Sequence, residues 1–259
     1  MPTLWTFGDS FTAGHGMNGE IPEYTNAHSD LKWTNLLAKE LGCELKNFGA
    51  NGLPNETILQ KIIECLNEFN SDDTIIIESS TLGRMVVPES DSRFNHNKVH
   101  PVYIHQNTID DEPEVYLKHF SRDELKYIIG FFENFVLDGF YYTNEVKSII
   151  ALARYLNDKK IVKNVIYWNL FPIESIKGFE IQPIYKKSDE LDEIYLKNKM
   201  GSDTMKYGWI EYFKKLNLTI KSETNGRIDD LHLSKYGHDV FFRLILSNLG
   251  LKSKTGNVI

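Results

Sequence analysis

Four short apolar runs punctuate the chain. Leu4 to Phe7 stops at Gly8, Glu44 to Phe48 stops at Gly49, Thr74 to Ile77 carries a triple isoleucine, and Ile161 to Leu170 ends at Phe171 and Pro172. Runs of this length, closed by glycine or proline, predict strands that end in tight turns. The triple isoleucine does not alternate with polar residues, which predicts burial on both faces, as in the central strand of a parallel sheet covered by helices. Between the runs, apolar positions step by three and four. Leu59, Ile62, Ile63, Leu66 and Phe69 make one helical stripe, and Leu31 to Leu41, Leu125 to Leu137, Val146 to Leu156 and Tyr207 to Leu216 make others. The last helix is the best punctuated: Ser234 can cap its start, Val240, Phe241, Leu244, Ile245 and Leu249 form its buried face, and Gly250 follows its end.

Strands separated by helices imply right-handed crossovers and a three-layer α/β/α sandwich with a central parallel sheet, whose ligands bind outside the carboxyl ends of the strands. Residues 84–124 and 173–204 are long for loops, polar and marked by Pro88, Pro101, Pro113 and Pro183. They predict insertions beside the functional edge of a single domain spanning residues 1–259.

With 29 basic and 36 acidic side chains among 259 residues, a net charge of −7 and no block of consecutive Lys or Arg, the chain offers no electrostatic footprint for a phosphate backbone or an anionic membrane. Neither nucleic acid nor membrane is an expected partner. No apolar run approaches the ~20 residues that cross a bilayer. Met1 and Pro2 lead straight into Leu-Trp-Thr-Phe-Gly-Asp-Ser without a basic or cleavable segment, so the expectation is a cytoplasmic chain, with export by a non-classical or phage-particle route left open. Cys43 and Cys65 form no CxxC and are expected as free, buried thiols.

The first strand runs into Gly8-Asp9-Ser10-Phe11-Thr12-Ala13-Gly14, which leaves the Ser10 hydroxyl at the strand's carboxyl end on a turn into a helix. A serine hydroxyl is a weak nucleophile until a general base lies within hydrogen-bond reach and a carboxylate orients that base. Near the other end of the chain, Asp229-Asp230-Leu231-His232 supplies one such pair. Asp229, three residues before His232, can reach imidazole Nδ1 across one turn of backbone and leave Nε2 for a serine. Asp9 is expected to cap the amides of its own turn, and Asp230 to be solvated.

The GDS turn at the start, the DxxH at the end and the following Leu233-Ser234-Lys235-Tyr236-Gly237-His238 resemble the first and last blocks of the SGNH, or GDSL, hydrolases. The resemblance spans nearly the whole chain. It implies the flavodoxin-like SGNH fold, Ser10 as nucleophile, His232 as general base and then acid, Asp229 as the orienting carboxylate, and acyl transfer to water through an acyl-enzyme with no cofactor. It also implies an oxyanion hole built from the amide of Ser10 and from Gly52, in the loop Asn47-Phe48-Gly49-Ala50-Asn51-Gly52. The family usually adds an Asn from a loop after the third strand. Here that loop reads Glu78-Ser79-Ser80-Thr81-Leu82-Gly83-Arg84 and has no Asn. Ser79, Ser80 or Thr81 can substitute with a hydroxyl, Ser80 being the named candidate, and Arg84 can reach in to bind substrate.

Other motifs carry less. Gly14-His15-Gly16-Met17-Asn18-Gly19 satisfies GxGxxG but opens no helix and has no acidic residue closing the second strand, so no dinucleotide is expected. His96, His100 and His105, with Asp91, lie on a proline-broken segment, so no metal is expected and the loop reads as polar, able to contact substrate. Asn55-Glu56-Thr57 matches a glycosylation sequon, and His238 reads as structural. The leading expectation is a serine esterase removing a short acyl group, O-acetyl from a carbohydrate being the named candidate, with a small-molecule or carbohydrate ester as its partner. The alternatives are a catalytically weak or inactive carbohydrate-binding or virion-associated module that kept the fold, and an acyltransferase.

Overall fold

The triple isoleucine sits inside a four-stranded parallel sheet built from β1 (Thr3–Gly8), β2 (Glu44–Gly49), β3 (Thr74–Ser79) and β6 (Asn164–Asn169). Their order is β2-β1-β3-β6. The computed structural model describes residues 1–15, 30–81, 83–88, 101–105, 109, 113–136, 140–170, 194–196, 208–223 and 230–252. Helix α1 (Ser10–Ala13) and α2 (Trp33–Leu41) follow β1, α3 (Asn55–Cys65) follows β2, and α4 (Arg122–Phe131) and α5 (Phe140–Asp158) precede β6. After β6 come α6 (Trp209–Lys215), α7 (Ile220–Glu223) and α8 (Lys235–Asn248).

Successive strand residues feed opposite layers, because side chains on a strand alternate faces. Trp5, Phe7, Ile75, Ile77, Val165 and Tyr167 pack with Ile58 and Ile62 of α3 and with Val146, Ile149 and Ile150 of α5. Leu4, Ile76, Ile166 and Trp168 pack with Trp33 and Leu37 of α2, Trp209 and Phe213 of α6, and Phe241 and Ile245 of α8. An uninterrupted isoleucine run is what such two-sided burial requires. Helix α8 starts and stops as expected: the Ser234 side chain accepts from Gly237 N at 3.0 Å, and Gly250 adopts φ +70° just beyond its end.

The chain leaves β1 toward β2 on one side and returns to β3 on the other, so the carboxyl ends of β1 and β3 flank a topological switch point, where open α/β sheets bind ligands. Residues 84–124 are more than a polar loop. They contain an antiparallel hairpin of β4 (Arg84–Pro88) and β5 (Pro101–His105), followed by a short 3₁₀ turn at Pro113–Lys118. One face of the hairpin, Met85, Val87, Val102 and Ile104, builds a third core with Ile109, Tyr116, Phe120, Leu125 and Phe132. On the other face Tyr103 packs against the main core. Of residues 173–204, Ile194–Leu196 are described: Tyr195 bridges Tyr167 in parallel at the outer edge of β6. Among the described residues no helix is long and apolar enough to cross a membrane. Of the two free thiols, Cys65 is buried as expected and Cys43 is only half-buried.

Candidate active site

Ser10 begins α1 at the carboxyl end of β1, and the turn that presents it is held from below. Asp9 Oδ1 accepts from Phe11 N at 3.0 Å, the cap expected from the sequence. Glu78, at the end of β3, accepts from Asp9 N and Thr12 N through Oε2 at 3.2 and 3.1 Å and from the Thr12 hydroxyl. The backbone can pass this close to Glu78 because residue 8 is glycine: a side chain there would collide with the Glu78 carboxyl and with Thr12 Oγ1. Among the described residues no acceptor engages the Ser10 amide, while those of Asp9, Phe11 and Thr12 are all bonded.

Both carboxyls beneath the turn are fully buried. Burial and the neighbouring Asp9 charge push Glu78 well above the usual glutamate range, which favours its neutral form. Burial acts on Asp9 in the same sense, but the Arg84 guanidinium, the Glu78 carboxyl and bonds from Phe11 N and Ser80 outweigh it and hold Asp9 below the ordinary range. Asp9 is therefore the anion of the pair. Arg84 Nη1 lies 2.6 Å from Asp9 Oδ2 and the Ser80 hydroxyl donates to the same oxygen at 2.8 Å.

The imidazole arrives from the other end of the chain. His232 Nε2 lies 2.7 Å from Ser10 Oγ, across 222 positions of sequence, and His232 Nδ1 lies 2.6 Å from Asp230 Oδ1. The sequence assigned the orienting carboxylate to Asp229 and left Asp230 to solvent. Asp229 lies outside the described residues, and the carboxyl brought to the ring is that of Asp230. The reason is local backbone shape. Before α8 the segment is extended, with Thr219 bridged to Leu233 and with Ile220 N and Lys221 N donating to His232 O and Asp230 O, both at 2.9 Å. On extended backbone, residues two apart share a face. Asp230 Oδ1 thus accepts from the His232 amide, at 2.8 Å, as well as from the ring. Partial burial alone would raise Asp230, but the bonds from His232 and the positive side of His232 and His15 hold it below the ordinary carboxylate range. The His232 ring packs on Phe11, with centroids 4.5 Å apart, so the helix that carries Ser10 also supports the base.

The remaining candidates are distributed around this pair. Gly52 has φ +74°, and among the described residues no acceptor engages its amide. Ser80 is buried, and its hydroxyl hydrogen goes to Asp9, which corrects the expectation of a free Ser80 donor. Ser79 is engaged with the Tyr167 hydroxyl at 2.8 Å. Arg84 turns into the protein, toward Asp9, Ser80 Oγ and Leu53 O. His238 is fully buried, accepts from Trp33 N at 3.3 Å, and is pushed down to about 3 by burial, then by Lys32 and His232, in keeping with a structural role.

Sequence reasoning missed His15. Its ring lies 4.3 Å from that of His232, and its Nδ1 meets Asn51 Nδ2 at 2.9 Å. Its only signal was a position in a glycine-rich stretch after the nucleophile turn. His15, Asp230 and His232 could together hold a metal ion, since one ligand-type atom from each lies within 4.8 Å of the others. Such an ion would displace the bonds just described. Of the metal candidates weighed from sequence, His96, His100 and Asp91 lie outside the described residues.

No family model matches the chain, and no curated protein matches it. Among solved structures it is similar to a member of the lipolytic protein G-D-S-L family from Veillonella parvula, at 14% identity over 95% of this chain and 97% of that one, with a TM-score of 0.45. It is also similar to a catalytic mutant of an acetylxylan esterase from Geobacillus stearothermophilus, at 16% identity over 99% and 97% of the two chains, with a TM-score of 0.44. An alpha/beta hydrolase enzyme from the metagenome of Lake Arreo, Spain, is similar at 13% identity over 96% and 95%, with a TM-score of 0.44.

Proposed function

We propose that the protein is a serine esterase that hydrolyses a short acyl ester through Ser10, His232 and Asp230. The observation that carries this reading is the 2.7 Å contact between Ser10 Oγ and His232 Nε2, with a carboxylate on the far nitrogen of the same ring. A hydroxyl, an imidazole and a carboxylate bonded in that order are the parts an activated nucleophile needs.

Ser10 Oγ attacks the ester carbonyl carbon, its proton passes to His232 Nε2, and the carbonyl π electrons move onto oxygen. Asp230 stays ionised and stabilises the imidazolium. Collapse of the tetrahedral intermediate breaks the bond to the alcohol oxygen, which takes the proton from His232, and leaves acyl-Ser10. Water then adds to the acyl carbon, gives a proton to His232, and releases the acid as Ser10 regains its proton. One ester and one water become one acid and one alcohol. The open amides of Ser10 and Gly52 support a role as donors to the oxyanion. The class of acyl group, acetyl on a carbohydrate, comes with the resemblance of the GDS turn and the final block.

The test is a panel of small acetyl esters and acetylated oligosaccharides with wild type and Ser10→Ala. The variant is expected to lose at least about 10³-fold in kcat, and a fluorophosphonate is expected to label Ser10 stoichiometrically in the folded wild-type protein. Unchanged hydrolysis by Ser10→Ala sinks the assignment. Absence of labelling favours a non-catalytic binding module.

A further inference from the structure

The inserted hairpin brings a further imidazole to the site, besides His232 and His15. Arg84 and His105 form the terminal pair of the β4–β5 ladder, so their side chains stand on one face. Arg84 reaches Asp9 at 2.6 Å, which fixes that face toward the Ser10 turn. At the same place a side chain on Gly52 would run into Cε1 and Nε2 of the His105 ring, so the ring lies directly against the Gly52 backbone. We propose that His105 is a catalytic residue: its ring N–H donates to the acyl oxygen of the substrate beside the amide of Gly52, and the β4–β5 insertion is thereby part of the catalytic apparatus. This inference rests on the esterase reading above.

Four observations support it. Both buried hydroxyls that could have donated are already engaged, Ser79 Oγ with Tyr167 and Ser80 Oγ with Asp9, and Arg84 Nη1 is turned to Asp9, Ser80 and Leu53 O. Among the described residues, no hydrogen-bond partner engages the His105 ring nitrogens. The ring is also held in place. The His105 amide donates to the Tyr116 hydroxyl at 3.0 Å, and Tyr116 and Ile104 are buried in the core of the insertion, so the position of the ring is set by a packed unit. Burial, then the Arg84 guanidinium, pushes the imidazole below its ordinary range, with Asp9 opposing in part. A neutral imidazole presents one N–H and no net charge, which suits a donor to a neutral carbonyl that becomes anionic.

The experiment compares two substitutions of similar volume on a small acetyl ester. His105→Met keeps bulk and removes the donor, whereas His105→Gln keeps an N–H. With unchanged thermal melting, His105→Met is expected to lower kcat by about 10²-fold, the usual effect of losing one oxyanion donor. KM should stay within about threefold, and His105→Gln should recover at least about tenfold of that loss. Either of two results overturns the proposal: a His105→Met kcat within about threefold of wild type, or a His105→Gln as slow as His105→Met. Ser10→Ala runs in parallel. If it is inactive while the His105 variants are normal, this inference alone fails. If it is as active as wild type, the esterase reading fails and takes the inference with it.

Discussion

The two halves of the site are built in opposite ways. Beneath Ser10, Asp9 and Glu78 are fully buried, and Arg84 is only 16% exposed. Every group there bonds to another element: β1 to β3, and the turn to the hairpin. Around His232 the side chains are 22% and 17% exposed, and the order comes from the backbone, through bonds between residues 219–221 and 230–233 and an Asp230 carboxylate that grips both the amide and the ring of the same histidine. A buried ionic web fixes the nucleophile, whereas a short extended segment aims the base. Substitutions in the first should damage stability, and substitutions in the second should damage rate alone.

The sharpest test of that contrast is Asp230→Asn. It leaves the shape of the segment intact but takes the negative charge from His232 Nδ1 and favours the wrong ring tautomer, so kcat is expected to fall by about 10⁴, with stability to urea changed by less than about 1 kcal/mol. Asp229→Asn is expected to stay near wild type. If the two variants exchange behaviour, the carboxylate belongs to Asp229 and the extended geometry before α8 has been misread.

That pair also marks how far the sequence could be read. The four strands, the layers and the ends of α8 were legible because each is a local pattern: an apolar run closed by glycine, a three-four stripe, a serine before and a glycine after. Ser10 and His232 were legible for the same reason. Asp230 was not, because choosing between adjacent aspartates depends on whether the backbone before α8 coils or extends, and that depends on Thr219 pairing with Leu233. The hairpin was also hidden. Arg84–Pro88 and Pro101–His105 are five-residue strands, separated by a polar stretch, and they become recognisable only when Val102 and Ile104 find a third core. The engagement of Ser80 and Arg84 with Asp9 is a contact across more than seventy positions, which no local pattern announces.

On the nucleophile side, Arg84→Met should give the largest loss of stability. It removes the cation from a fully buried carboxylate, and breaking a buried pair from one side costs about 3–5 kcal/mol. Because Asp9 is held below the ordinary range, its contribution in wild type is present above that range and disappears as pH falls through its folded value. Chemical denaturation at neutral pH measures the loss. A change under about 1 kcal/mol would mean that the web does not secure the turn.

Glu78→Gln probes the other carboxyl of the web and should do much less. Glutamine has nearly the shape of the neutral acid, so at acid pH, below the ordinary glutamate range, the expected change is under about 1.5 kcal/mol. The pH dependence carries the information. The folded protein holds a proton on Glu78 that the unfolded chain releases near the ordinary glutamate range, so stability falls as pH rises above that range. Denaturation midpoints from pH 5 to 9 should slope less steeply in the variant. Parallel slopes would show that Glu78 is ionised in the fold.

Glu145 should have the smallest effect on rate, and it tests whether that slope is special to the Ser10 turn. It lies in α5 beside Glu56 of α3, and burial followed by the charge of Glu56 pushes it up to about 8. Its folded value is again above its unfolded one, so the stability it contributes is complete below the ordinary glutamate range and is lost as pH climbs toward 8. Glu145→Gln cannot ionise and keeps its stability over that interval. Relative to wild type it should gain up to about 4 kcal/mol between pH 5 and pH 9, about 1.4 kcal/mol for each pH unit up to 8, with kcat on a small ester unchanged. A variant that loses stability at pH 9 would show the carboxylate making a favourable contact between α3 and α5. A variant that instead lowers kcat would extend the ionic web beyond the Ser10 turn and weaken the division between a half that sets stability and a half that sets rate.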